Sequence, residues 1–144
     1  MPVLLANGRP FVLKVWTAGL HLANQDDATV EARMSWAAAS GFNSVEIMAQ
    51  WRLVEPTHGD YDWTRIDHLM DAAASYGLYV LLTIEAGAAP PWFADELHPD
   101  AVFVTRDPNP ERHPNMMSGR LSVTGYASLP IFYHPAYWAE ADAF

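Results

Sequence analysis

Asn43-Ser44-Val45-Glu46-Ile47-Met48-Ala49 and Leu78-Tyr79-Val80-Leu81-Leu82-Thr83-Ile84 are the two stretches on which the fold turns. Both are rich in β-branched and aliphatic residues, and both read as strands. The second is almost wholly apolar, as expected of a strand whose sheet is covered by helices. Upstream, Phe11-Val12-Leu13-Lys14-Val15 is a third β-rich run, set off by Gly8 and Pro10. The strand centres at Val12, Val45 and Val80 are 33 and 35 residues apart, the length of a strand–helix–strand crossover.

Helical patterns fill the intervals. Asn24, Asp26 and Asp27 offer N-caps ahead of Val30, Met34, Ala37 and Ala38, which share one helix face, and Gly41 suits the left-handed stop. Asp62 offers a cap for a second helix with Ile66, Leu69, Met70 and Ala73 inward and Gly77 as its stop. The reading predicts parallel strands near 11–16, 43–49 and 78–84, side by side in sequence order. Helices near 27–40 and 63–76 should cover one face. Residues 51–61 read as a loop. Residues 85–134 hold most of the eleven prolines and no long periodic segment, so they read as one long loop of the kind that carries function. A final helix follows from Pro135, and the pattern breaks off within it. The expectation is a single partial domain over 1–144, cut before a fourth strand.

Composition narrows the function. Eight Lys and Arg against seventeen Asp and Glu give a net charge of −9, which repels nucleic acid and anionic lipid. Without Cys, thiolate metal sites, disulfides and Cys nucleophiles are excluded. The six His residues lack ligand spacing, so no metal is expected. No phosphate loop, nucleophile elbow or His-Glu-x-x-His pair occurs. The N-terminus lacks the pattern of a signal peptide, so a cytoplasmic location is the default expectation.

The segment Trp51-Arg52-Leu53-Val54-Glu55-Pro56-Thr57-His58-Gly59-Asp60-Tyr61-Asp62-Trp63 follows the second strand. Glu85-Ala86-Gly87-Ala88-Ala89-Pro90-Pro91-Trp92-Phe93 follows the third. With Gly77-Leu78 between them, this pattern resembles the N-terminal part of retaining glycoside hydrolases, and in particular family 42 β-galactosidases and their family 35 relatives. Residues 7–11, 21–24, 98–100 and 134–137 are similar to the same group. The resemblance implies an α/β fold, namely about three βα units of a TIM (β/α)₈ barrel with its sugar site at the C-terminal strand ends. It implies hydrolysis of β-glycosides with retention, a carbohydrate partner and no cofactor. It also implies an acid/base Glu in an Asn-Glu pair after the fourth strand and a nucleophilic Glu on the seventh. No Asn-Glu dipeptide occurs here, so neither catalytic carboxylate is assigned, and the chain alone is expected to be inactive. A non-catalytic carbohydrate-binding relative, or a fragment working with a partner chain, is the alternative.

Six residues are the substrate-binding candidates: Gln50, Trp51, Glu85, Trp92, His21 and Asn24. Trp rings stack on the apolar face of a sugar, and amides or carboxylates bond its hydroxyls. Five of them also have a plainer reading. Trp51 and Trp92 can serve as loop core, Gln50 as an ordinary strand end, and Glu85 as an ion partner of Arg33 or Arg52. Asn24 can be a helix cap. Glu55-Pro56 reads as a turn-fixing pair, Tyr61 and Trp63 as packing for the second helix, and the role of Glu46 is open.

Overall fold

The computed structural model describes residues 4–17, 22–87, 89–97, 100, 102–106, 120–121, 126–130 and 134–144. Its centre is a parallel sheet of β3 (Val15–Thr17), β4 (Ser44–Gln50) and β5 (Tyr79–Glu85), in that order. The helices α1 (Asp27–Ala39) and α3 (Thr64–Ser75) supply the crossovers. Strand direction and order are those expected from the 33- and 35-residue spacing.

Helix boundaries follow their caps. Asp26 Oδ1 accepts the Thr29 N–H at 2.7 Å and opens α1. The N-cap position of α3 is Trp63, not the expected Asp62, which stands one residue earlier and whose Oδ1 accepts the Thr64 N–H at 2.9 Å. Gly41 and Gly77 follow the two helices with φ of 84° and 68°, the left-handed conformation that a helix stop needs and that Gly adopts without steric cost. Val30, Met34 and Ala37 of α1 join Ile66, Leu69, Ala72 and Ala73 of α3 over Val45, Ile47 and Ala49 of β4. Met70, expected inward, is instead 40% exposed, because the inward stripe passes through Ala72 and Ala73.

Three further expectations are corrected. The first strand is shorter than 11–16. Asn43 takes the place of the ladder there, its Oδ1 accepting from Lys14 N at 2.7 Å and its Nδ2 donating to Val12 O at 2.8 Å. Residues 7–10, which the resemblance to the family's opening strand covers, belong to a hairpin of β1 (Leu5–Ala6) and β2 (Arg9–Pro10). Asn7 and Gly8 form its two-residue turn at φ 52° and 75°, as Asn-Gly favours. Within 51–61, Trp51–Val54 forms a short helix, α2.

The long loop is the largest correction. After β5 comes a π-helical segment, Trp92–Leu97. Next is a second sheet of β6 (Val102–Arg106), β7 (Arg120–Leu121) and β8 (Tyr126–Pro130), all antiparallel in the order β6-β8-β7. The β6–β8 pairings span twenty residues or more of chain, so local periodicity carries no trace of them. Helix α4 (Pro135–Ala141) follows, with His134 Nδ1 accepting the Ala136 N–H. Among the described residues no helix is long and apolar enough to cross a membrane.

Candidate functional site

Parallel register decides which side chains meet at the strand ends. Gln50 pairs with Glu85, Met48 with Thr83 and Glu46 with Leu81. Alternation then puts Glu46, Met48 and Gln50 on the face opposite the helix-covered Val45, Ile47 and Ala49. Thr83 Oγ1 donates to Glu46 Oε1 at 2.8 Å, which joins the two strands across that face. Gln50 and Glu85 therefore close the same end of the sheet, as expected. This is the C-terminal end, where ligands of parallel α/β folds bind.

Arg52 joins them from the first turn of α2. Its Nη2 donates to Gln50 Oε1 at 3.2 Å. Burial lowers the pKa of its guanidinium from the ordinary value, and the negative charge of Glu85 acts in the opposite sense. From α4 comes Tyr137. Burial raises its phenol above the usual range, and Glu85 adds to the rise. Glu85 thus sits in the electrostatic reach of both a guanidinium and a phenol. In the sequence Arg52 is legible only as an ion partner of Glu85, and Tyr137 has no legible role. The signal for Arg52 was its position two residues past a strand end. Tyr137 gave none, since its proximity depends on how α4 docks.

Trp51 and Trp92 are corrected as open sugar platforms: both are interior. Trp51 is fully buried, and Trp92 is 5% exposed. The Trp51 indole N–H donates to Glu55 Oε2 at 2.6 Å, Glu55 Oε1 accepts from Gly59 N at 2.7 Å, and the Trp92 indole N–H donates to Glu55 O at 2.9 Å. Trp92, Phe93, Tyr137 and Phe144 pack around the Trp51 ring. The reason lies at Glu55, itself 3% exposed: its carboxylate takes the Trp51 indole and its backbone carbonyl the Trp92 indole, which satisfies these buried acceptors. Glu55-Pro56 is structural, as read. His58 stacks on Trp92 at 4.3 Å and pairs with Glu140 of α4 at 3.3 Å, which ties the rim to that helix.

The two remaining candidates lie before α1. His21 is outside the described residues. Asn24 is exposed in the turn Leu22–Asn24. It is not the cap of α1, since Asp26 has that role. Arg65 of α3 grips this turn: Nε donates to Ala23 O at 3.0 Å, Nη1 to Asp27 Oδ1 at 2.7 Å, and Nη2 to Gln25 O. The Arg65 hydrogen bond and the nearby His68 hold the Asp27 carboxyl below its usual range. Among the described residues no three His, Asp or Glu side chains gather as metal ligands.

A parallel α/β sheet with polar groups at its C-terminal strand ends defines the class. Its fold is shared with an exo-β-1,4-mannosidase, Op5Man5, from Opitutaceae bacterium strain TAV5, at a TM-score of 0.54 and 24% identity, over 63% of this chain and 19% of that one. The family model of glycoside hydrolase family 42, described as beta-galactosidase, matches residues 22–129, and the chain belongs to that family. Among curated relatives, a beta-galactosidase of Arthrobacter sp is 36% identical over 81 residues, 53% of this chain. Beta-galactosidase BgaH of Haloferax lucentense is 28% identical over 113 residues, 78% of this chain. The chain spans 11% and 15% of the length of these two relatives.

Proposed function

We propose that this chain is the first three βα units of a (β/α)₈ glycoside hydrolase that cleaves β-galactosides with retention. The observation that carries the reading is the match of residues 22–129 to family 42, together with the register that sets Gln50 beside Glu85 at the C-terminal strand ends. In this reading Gln50 and Glu85 bond sugar hydroxyls, Arg52 and Tyr137 support Glu85, and the Glu55 cluster shapes the rim.

Retention requires one carboxylic acid to protonate the leaving oxygen and a carboxylate on the opposite face to trap the sugar, about 5–5.5 Å apart. The described carboxylates nearest the site have other work. Glu55 is held by Trp51 and Gly59, and Glu46 by Thr83. From the family resemblance, the catalytic pair is assigned to later strands of the barrel, and this chain supplies scaffold and substrate contacts. The test is an assay on a chromogenic β-galactoside. The full enzyme should hydrolyse it, releasing the β-anomer first by NMR, whereas the 144-residue chain should show only background. Turnover by the chain that vanishes in Glu85→Gln would overturn the assignment. Sugar binding without turnover by the full protein would instead identify a non-catalytic carbohydrate-binding relative.

A further inference from the structure

Gln50 is fully buried at the end of β4, and only half of its carboxamide is satisfied. Oε1 accepts from Arg52 Nη2 at 3.2 Å. Nε2 is buried and has no hydrogen-bond partner among the described residues. A carboxamide can turn over, exchanging oxygen and nitrogen with almost no change of shape. What selects one orientation here is the chemistry of Arg52. A guanidinium carries donors only. It accepts the amide oxygen as a neighbour and repels the NH₂. The NH₂ is thereby turned to the side of Gln50 away from the guanidinium. The register partner of Gln50 is Glu85, whose carboxyl group offers acceptor oxygens. A donor and an acceptor at paired positions of two strand ends suit a group that both accepts and donates one hydrogen bond.

We propose that Arg52 is a positioning residue that locks the Gln50 carboxamide, so that Gln50 and Glu85 together receive a single ligand hydroxyl. Gln50 Nε2 donates to the hydroxyl oxygen, and the hydroxyl donates to the Glu85 carboxylate. The inference rests on the carbohydrate reading above and makes it narrower. The ligand must offer a free hydroxyl at this point, and a deoxy analogue is rejected because it leaves the buried amide unpaired.

The test uses the ¹⁵N-labelled chain, with Gln50→Glu to assign the side-chain amide signals and methyl β-D-galactopyranoside as the probe. Without ligand, Arg52→Met should shift and broaden the Gln50 NH₂ pair, while Arg52→Lys, also a donor-only cation, should keep it near its original position. The Trp51 indole signal, reporting the bond to Glu55, should stay in place in both. Probe affinity of the full enzyme should fall at least about tenfold in Arg52→Met and recover to within about threefold in Arg52→Lys. One monodeoxy analogue of the probe should bind the full enzyme at least about tenfold more weakly than the parent, and should lose no further affinity in Arg52→Met.

An unmoved Gln50 signal in Arg52→Met overturns the positioning role, as does a moved signal with unchanged affinity. If Arg52→Met disturbs the Trp51 indole, the deoxy series on the unsubstituted full enzyme decides, and equal affinity for every analogue overturns the proposal. The binding arms are run on the full enzyme, and its failure to bind the probe overturns the carbohydrate reading and the hydroxyl contact with it. The ligand-free spectra then still show whether Arg52 orients the amide.

Discussion

β4 and β5 are neighbouring seven-residue strands joined along their whole length, yet they live in different surroundings. In β4, Val45, Ile47, Ala49 and Gln50 are fully buried. β5 is the more apolar in sequence, but Tyr79, Leu81, Leu82 and Ile84 are each 40% exposed or more. The difference lies in their neighbours. β4 has a strand on each side and α1 and α3 across one face, whereas β5 pairs with β4 alone among the described residues. Burial is conferred by what lies alongside, so an apolar strand is a demand for cover rather than proof of it. In the proposed barrel that cover is the remaining βα units.

The contrast gives the largest expected effect. Ile47→Ala should lower unfolding stability by about 2–4 kcal/mol, since it opens a cavity in a packed core. Ile84→Ala, at a half-exposed position, should cost less than about 1 kcal/mol. Denaturant titration of the two variants measures both. Equal losses would mean that β5 is covered after all, and would break the comparison.

The next effect lies at the rim. Glu55→Gln keeps the shape but replaces an acceptor with an NH₂ donor. Either the Trp51 indole or the Gly59 N–H must then face it, and an orphaned buried donor costs about 1–3 kcal/mol. The same titration, with the Trp51 indole proton followed by NMR, should show this loss and a shifted signal. An unchanged stability would show that the carboxylate is not the staple described.

Smaller still is the junction that shortens the first strand. Asn43→Ala removes both bonds to residues 12–14 and should cost about 1 kcal/mol, with amide exchange quickening at Lys14 while β4 stays protected. Uniform quickening through β4 would mean that Asn43 supports the sheet itself.

The smallest effect is acid sensitivity. Asp26, Asp27 and Asp62 all have carboxyls held below their ordinary value, by hydrogen bonds from Thr29, Arg65 and Thr64 respectively. Because each folded pKa is lower than the unfolded one, the unfolded chain binds more protons in the window between them, and stability rises with pH there. Their contribution is complete above the unfolded value near 3.8 and fades as pH falls through the folded values. All three are exposed, so the slope should be shallow and weaker in salt. Replacing all three by Ala should flatten the acid limb of the stability curve, and an unchanged limb would place its origin elsewhere.

Much of the scaffold was determined by the sequence alone. The period-3.6 face of Val30, Met34 and Ala37, the cap at Asp26, the Asp62 bond just ahead of α3 and the stops at Gly41 and Gly77 are local signals. They act over one or two turns and do not need the rest of the chain. The spacing of the strands was enough to place Gln50 and Glu85 at one end of the sheet. Tertiary structure alone decided the rest. Glu55 pulled Trp51 and Trp92 out of reach of a ligand, α4 brought Tyr137 towards Glu85, and β6, β7 and β8 built a sheet in a segment with no periodic pattern. Apart from the Trp51–Glu55 bond, which spans four residues, the deciding partner lies far away in sequence or on another element. Hydrogen-bond satisfaction and packing between distant segments depend on which surfaces meet, and a sequence pattern read one window at a time holds no record of that meeting.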